Sequence, residues 1–259
     1  MDALWTVRWN KEAPTLKNAL LIVGLPGIGN VGKIAADFII TEKKVPLIAT
    51  FFSYHLPHSV YVNEQNLIEL PKIGLYHLKA KTRDILIIAG DVQPMNELSC
   101  YTFCDTVLHE LGNRGLREII TFGGIGLRAE PPAPRLFCTG TEQSHVAALA
   151  KTTGASQKIY GVVGPIIGVS GVLLGLAQEK GILGAALLAE TLSHPLYLGT
   201  AGAQALIVGI NAYTGLKLPA EAVSADQQQE SLVVDEEGPA KKLVPPKKNQ
   251  PASDTNYIG

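Results

Sequence analysis

Gly24-Leu25-Pro26-Gly27-Ile28-Gly29-Asn30-Val31-Gly32-Lys33 is the stretch whose reading decides the fold. It follows the apolar run Ala19-Leu20-Leu21-Ile22-Val23, which reads as a parallel strand buried on both faces. It leads into Val31-Gly32-Lys33-Ile34-Ala35-Ala36-Asp37-Phe38-Ile39, which has helical spacing and two alanines where a helix can lie close to a sheet. A glycine-rich turn between strand and helix aims several backbone N–H groups at one point, a geometry suited to an anion. The same turn opens any tightly wound α/β fold, with glycines that permit φ > 0 and close strand–helix packing. The packing reading is the favoured one.

Two ligand templates fail on chemistry. Gly27-Ile28-Gly29-Asn30-Val31-Gly32 satisfies the dinucleotide fingerprint by letter, but that site needs an acid at the end of the next strand to hold the ribose hydroxyls. The next predicted strand, Val45 to Phe52, ends Thr50-Phe51-Phe52-Ser53-Tyr54 without one. Gly27 to Lys33 also matches the first seven positions of a Walker A loop, with Asp91 as a Walker B candidate. The eighth position is Ile34, and an isoleucine cannot supply the hydroxyl that magnesium requires.

The chain has 259 residues, 46% of them hydrophobic, and a formal net charge of −1. That length suits one large or two small domains. Near-neutral charge lacks the footprint of a dedicated nucleic-acid binder. Cys100, Cys104 and Cys138 make no disulfide framework, and no second Cys or His pair completes a metal site with Cys100 and Cys104. The start, Met1 to Arg8, has no apolar segment of the signal-peptide kind, so a cytoplasmic protein is expected. Ile159 to Gln178 and Pro195 to Leu216 are long enough to span a bilayer. Six glycine or proline breaks in the first, and Gln204 and Asn211 in the second, favour buried elements of an α/β core over membrane spans.

Along the chain, Val7–Trp9 reads as an edge strand and Tyr54–Ile68 as a hairpin projecting from the sheet. Ile73–Leu78 and Ile85–Asp91 read as strands. Asn96 is set to cap a helix through Arg114, with Leu98, Phe103, Val107, Leu108 and Leu111 inward. Ile119–Gly124, Arg135–Thr139 and Gly184–Glu190 are further strands, and Glu142–Thr153 and Pro195–Thr214 further helices. The predicted fold is therefore α/β, with a largely parallel central sheet covered by helices on both faces. Such sheets place ligands beyond the carboxyl ends of their strands, which gathers Gly24–Gly32, Asp91–Asn96 and Gly123–Arg128 on one edge. A possible anion or ligand loop there comprises Gly27, Gly29, Asn30, Gly32 and Asp91.

Composition changes near Pro219. Residues 1–219 are expected to form one α/β domain, and 220–259, rich in Gln, Glu, Lys, Pro and Ser, a flexible polar tail that cannot offset its ordering entropy. Asn256-Tyr257-Ile258-Gly259 break the tail's pattern with an aromatic and an aliphatic beside the terminal carboxylate.

Gly24 to Phe38, Gly90-Asp91-Val92-Gln93-Pro94, Thr121-Phe122-Gly123-Gly124, Tyr160-Gly161-Val162, Gly168-Val169-Ser170-Gly171 and Leu187-Leu188-Ala189-Glu190-Thr191 form an ordered series. In order and spacing, over about residues 15 to 215, the series resembles the proteasome assembly chaperone family, specifically archaeal relatives of its second eukaryotic type. The resemblance implies a fold distantly like the nucleoside phosphorylase and peptidyl-tRNA hydrolase architecture. It implies no enzymatic activity and no cofactor, and homo-oligomers that act on proteasome core-particle α subunits. Archaeal members of this kind can end in a hydrophobic–tyrosine–any-residue motif that docks between neighbouring α subunits, a lysine pairing with the carboxylate. By that implication Tyr257, Ile258 and Gly259 are the partner-binding residues. Here the tyrosine stands one place early, which sets the carboxylate about 3.5 Å farther along the chain. About 37 flexible residues before that end have a root-mean-square reach of roughly 35 Å, enough to search a neighbour's surface.

Other candidate chemistry is thin. His55 and His58 lie on a proline-containing loop with no third ligand close by. Glu190 and His194 suit an acid–base pair, but no nucleophile with a positioned base accompanies them. The expected protein is a non-enzymatic, homo-oligomeric binding factor for the proteasome core particle, with neither nucleic-acid nor membrane partners and no metal. The alternative is a nucleotide- or phosphate-binding enzyme or sensor using the Gly24–Lys33 loop.

Overall fold

In the computed structural model, residues 4–80, 82–161 and 163–224 are described. Tyr257, Ile258 and Gly259 lie outside these residues. In chain order the strands and helices are β1 (Thr6–Trp9), β2 (Ala19–Gly24), α1 (Val31–Lys43), β3 (Leu47–Phe52), β4 (Tyr61–Val62), β5 (Ile68–Glu69), β6 (Ile73–Leu78), β7 (Ile85–Gly90), α2 (Glu97–Gly112), β8 (Leu116–Leu127), β9 (Leu136–Gly140), α3 (Gln143–Thr153), α4 (Val169–Glu179), β10 (Leu183–Leu192) and α5 (Thr200–Thr214).

One eight-stranded sheet has the order β1-β3-β6-β7-β2-β8-β10-β9. Its centre, β7-β2-β8-β10, is parallel throughout, as the apolar runs require. Antiparallel strands extend it on both sides: β6, β3 and β1 on one, β9 on the other. The sequence signals those flanks weakly, because antiparallel strands reached through loops carry no crossover helix to announce direction. β4 and β5 pair separately as the projecting hairpin expected between Tyr54 and Ile68.

Helices cover both faces. Phe103, Val107, Leu108 and Leu111 of α2, with Val169, Leu173 and Ala177 of α4, bury one face against Leu21, Val23, Leu86 and Ile88. Ile34, Ala35, Phe38 and Ile39 of α1, with Leu206, Ile207 and Ile210 of α5, bury the other against Leu20, Ile22, Ile87 and Ile120. Each aliphatic side chain so buried is worth about 1.5–3 kcal/mol.

Local departures from expectation have physical causes. Asn96 caps α2 as read, its side chain accepting from the Ser99 N–H at 2.8 Å, but Leu98 is 60% exposed. The first turn of α2 overhangs the sheet edge, and Ser99 and Cys100 take the inward places. α5 starts at Thr200, not Pro195, because the chain from Ser193 to Leu198 turns over the sheet end first. Residues 159–161 and 163–168 lie outside the strands and helices, with Gly161 and Gly168 at positive φ and Pro165 between them, and α4 begins only at Val169. The folded chain continues four residues past Pro219: Leu218 is held by both amide atoms of Asn211, at 2.7 and 2.8 Å. The Val223 carbonyl accepts from Gln204 Nε2 at 3.1 Å, and Val223 is buried. The chain therefore runs antiparallel up α5, from its end back toward its start.

At the amino ends of the parallel strands sits a buried ionic cluster. Glu118 of β8 binds His145 Nε2 at 2.9 Å, the Tyr213 hydroxyl at 2.6 Å and Arg83 at 2.7 Å. Burial works against the charged carboxylate, yet the hydrogen bonds from His145, Tyr213 and Arg83 outweigh it and hold the pKa of Glu118 below the ordinary value. The group ties α3, α5 and the turn before β7 to the central sheet.

Candidate functional site

The glycine loop does gather with the other carboxyl-end segments. Leu25, Pro26, Gly27 and Ile28 form one wall of a cleft; Phe122–Gly124 of β8, Gln93, Val163 and Ile166 from the approach to α4, and Ser170 of α4 form the rest. Gln93 Nε2 donates to the Pro26 carbonyl at 2.9 Å and so clamps the loop to the segment after β7. The enclosed volume is about 40 Å³. That admits a water or two, against roughly 300 Å³ or more for an ordinary small-molecule pocket.

The individual loop residues face protein. A Cβ on Gly32 would stand 2.7 Å from the Phe122 carbonyl oxygen, and one on Gly24 would stand 2.5 Å from Ala36 Cβ. These two glycines let α1 lie directly on β2 and β8. Gly29 takes φ 59°, and a Cβ there would meet Thr191 Oγ1 at 2.6 Å. Its carbonyl accepts from the Gly199 N–H at 2.7 Å, joining the loop to the start of α5. Asn30, at φ 50°, closes the turn by donating its N–H to Gly27. The Val31 N–H donates to Ile28. Two amides of the turn are thus already engaged. Gly27 alone has open space around it. Lys33 pairs with Asp37 at 2.7 Å, one helical turn on, rather than reaching over the loop.

Asp91 sits at the same edge but ends β7: its carboxylate accepts from the Lys72 N–H at 2.9 Å, and Gln93 occupies the cleft in its stead. Glu190 and His194 are not brought together as an acid–base pair. Glu190 is buried and bound by Arg135, at 3.0 Å from both its backbone N–H and its Nε. The Arg135 guanidinium holds the Glu190 carboxyl below its usual range. The Tyr197 hydroxyl donates to Glu130 at 2.5 Å, a contact that pushes its pKa up to about 12. Cys100, Cys104 and Cys138 are buried; the hydrogen bond with Cys100, and burial, push the Cys104 thiol far above its usual value. Among the described residues, no three His, Cys, Asp or Glu side chains cluster as a metal site, and no helix is long and apolar enough to cross a membrane. The α4 contribution to the cleft is the part that residue types did not announce. Gly168-Val169-Ser170-Gly171 has no titratable group, and its only signal was its place in the ordered motifs.

The arrangement is one of backbone seams. The model of the PAC2 family matches residues 21–237. The chain belongs to the PAC2 family. This is the family that the ordered glycine motifs resemble. PbaB of Pyrococcus furiosus, described as an archaeal proteasome activator, is 27% identical and superposes with a TM-score of 0.78 over 88% of this chain and 96% of its own. PbaA of the same organism, described as an archaeal homolog of proteasome-assembly chaperone, shares the fold at 23% identity, with a TM-score of 0.71 over 87% of each chain. An uncharacterized protein of Methanocaldococcus jannaschii, MJ1210, is 28% identical over 182 residues, 70% of this chain and 69% of its own.

Proposed function

We propose that this PAC2 protein is a non-enzymatic factor that self-associates and engages the proteasome core particle through its α subunits, either during assembly or on the finished particle. Membership of the family and the 27% identity to an archaeal proteasome activator across nearly the whole of both chains carry the reading. The site geometry supports it: the glycines of the carboxyl edge accommodate neighbouring backbone and side chains, and the cleft is far smaller than a nucleotide.

The C-terminal residues Tyr257, Ile258 and Gly259 are the proposed anchor. Val223 lies beside Gln204, one turn from the first residue of α5, which puts the last described residues near the carboxyl edge of the sheet. Several tails on one oligomer would raise affinity by effective concentration without any new contact type. The experiment is a pull-down of core particles and of isolated α subunits with the full chain and with one ending at Asn256. Capture by the full chain, weakened at least tenfold by the truncation, is the expected result. Failure of both chains to capture either target would overturn the proposal. A parallel assay of peptide hydrolysis separates the two stages: stimulation of assembled particles marks an activator, and faster ring formation from free subunits marks an assembly factor.

A further inference from the structure

Five neighbouring strands carry basic side chains at the amino end of the sheet. Across the order β3-β6-β7-β2-β8 these are Lys43 and Lys44 before β3, Lys79 after β6, Arg83 before β7, Lys17 before β2 and Arg117 in β8. The register sets them level. Leu78 lies opposite Ile85, Leu20 lies opposite both Ile85 and Glu118, and β3 starts opposite Tyr76. At about 4.8 Å per strand the basic stripe is about 19 Å long.

Three acids share the stripe, and two of them face inward. Asp84 is buried and accepts from the Lys17 N–H at 2.7 Å; Glu118 is buried and holds Arg83 at 2.7 Å. Glu42 is the one exposed acid on it among the described residues. Donors are in excess inside as well, since Arg83 Nε is buried without a hydrogen-bond partner. On either side of the stripe the charges are matched. Lys11 stands next to Glu12, Arg114 pairs with Glu110 at 3.7 Å, and Lys180 pairs with Asp105 at 3.1 Å. Glu142 follows β9, and Glu179 ends α4, which packs on β10.

The dipole of α1 accounts for Lys43 and Lys44 at its carboxyl end. It gives no reason for Lys17, Lys79 and Arg117, which are exposed at strand ends where like charges repel. In a chain of net charge −1, such a stripe is a face for an anionic partner.

The chain carries the matching charge itself. Residues 226–237 hold Asp226, Glu230, Asp235, Glu236 and Glu237 and no Lys or Arg. They lie beyond Ser224, the last described residue, yet the PAC2 model runs through them to residue 237 and stops short of the basic Lys241-Lys242 pair. The reach suffices. Val223 sits beside Gln204, ten residues before the end of α5, which is about 15 Å from the amino end. The eleven residues from Ser224 to Asp235 span up to about 36 Å. A segment tethered this closely meets the stripe at an effective concentration in the millimolar range, which an acidic surface on another protein has to exceed.

We infer that residues 226–237 lie along the basic stripe of their own chain, their carboxylates facing Lys44, Lys79, Lys17 and Arg117. Docked there, the segment moves the point from which Tyr257 departs to the amino end of the sheet, the end opposite Val223. The pairing is independent of the proposed function, for it holds whether or not Tyr257 to Gly259 meet a proteasome.

Carbodiimide coupling of carboxylates to lysine amines in the full chain, mapped by mass spectrometry, tests this. An equal mixture of light and heavy nitrogen-labelled chains separates links within one chain from links between two. At about 50 mM salt, links from residues 226–237 should fall on Lys17, Lys44 and Lys79 roughly fivefold more often than on Lys151 of α3, the helix that packs against α5. At about 500 mM salt that preference should drop below about twofold. Arg117→Glu removes charge without removing an amine, and should cut the stripe links roughly threefold with unchanged circular dichroism. Links spread evenly over the exposed lysines, or confined to Lys241 and Lys242, would overturn the docking. So would a preference that survives both salt and Arg117→Glu. Links found only between light and heavy chains would overturn it too, and would give the stripe to a second copy.

Discussion

Gly32 occupies the second position of α1, where an alanine would ordinarily favour a helix by up to about 1 kcal/mol. Here the sign reverses, because the added methyl would stand 2.7 Å from the Phe122 carbonyl and force α1 off the sheet. Gly32→Ala should therefore cost about 1–3 kcal/mol, whereas Gly27→Ala, with open space around it, should stay within about 0.5 kcal/mol. Urea unfolding of the two variants checks this. Equal losses would show that the loop is held by something other than the packing of α1. The letters of the loop pointed to a turn and to a helix close to a sheet. They could not say which glycine was pressed against which backbone, since Phe122 and Thr191 come from strands far along the chain.

At the scale of the element, α2 shows how far local signals reach. Asn96 was legible as the cap because an amide oxygen satisfies a first-turn N–H in almost any context. Asn96→Ala should cost about 1 kcal/mol, read as a lower thermal midpoint with the helical signal otherwise intact. Leu98 was not legible as exposed, because helical spacing describes a helix and not the edge of the sheet beneath it. The Glu118 cluster joins elements that no local pattern connects. Its carboxyl has a lower pKa folded than unfolded, so the stability it contributes is fully present above the ordinary carboxylate value and is lost as pH falls through the depressed one. Thermal unfolding between neutral and acid pH should show a steeper loss for the wild type than for Glu118→Gln. At neutral pH, Glu118→Ala should cost about 3 kcal/mol, since it strands Arg83 and His145 beside an emptied site. A variant as stable as the wild type at every pH would remove the cluster's structural role.

For the whole molecule, the two ends of the sheet differ in kind. The amino end holds its elements together through a buried charge network, and the carboxyl end joins glycine seams to exposed aliphatic side chains. The last described residues also lie near that second end, with Val223 beside the start of α5. Truncation after Ser224 should leave the thermal midpoint within a few degrees of the full chain, since Leu218 and Val223 keep their places on α5. The same truncation should abolish core-particle capture if residues 257–259 are the anchor. A large drop in midpoint would instead make the later residues part of the fold.

What the sequence determined by itself was the class of fold, the parallel centre of the sheet, the α2 cap, and the family through the order of its glycine motifs. Those features are local or additive along the chain: uninterrupted apolar runs, a capping side chain, glycines at fixed spacing. Only the tertiary structure decided that the glycines face Phe122, Ala36 and Thr191 across the fold. It also set Glu190 against Arg135 instead of His194 and lined up Lys79, Arg83, Lys17 and Arg117 along one edge. The reason is that each of these depends on which distant strand ends beside which, and strand order is a property of the folded sheet that no window of the chain contains.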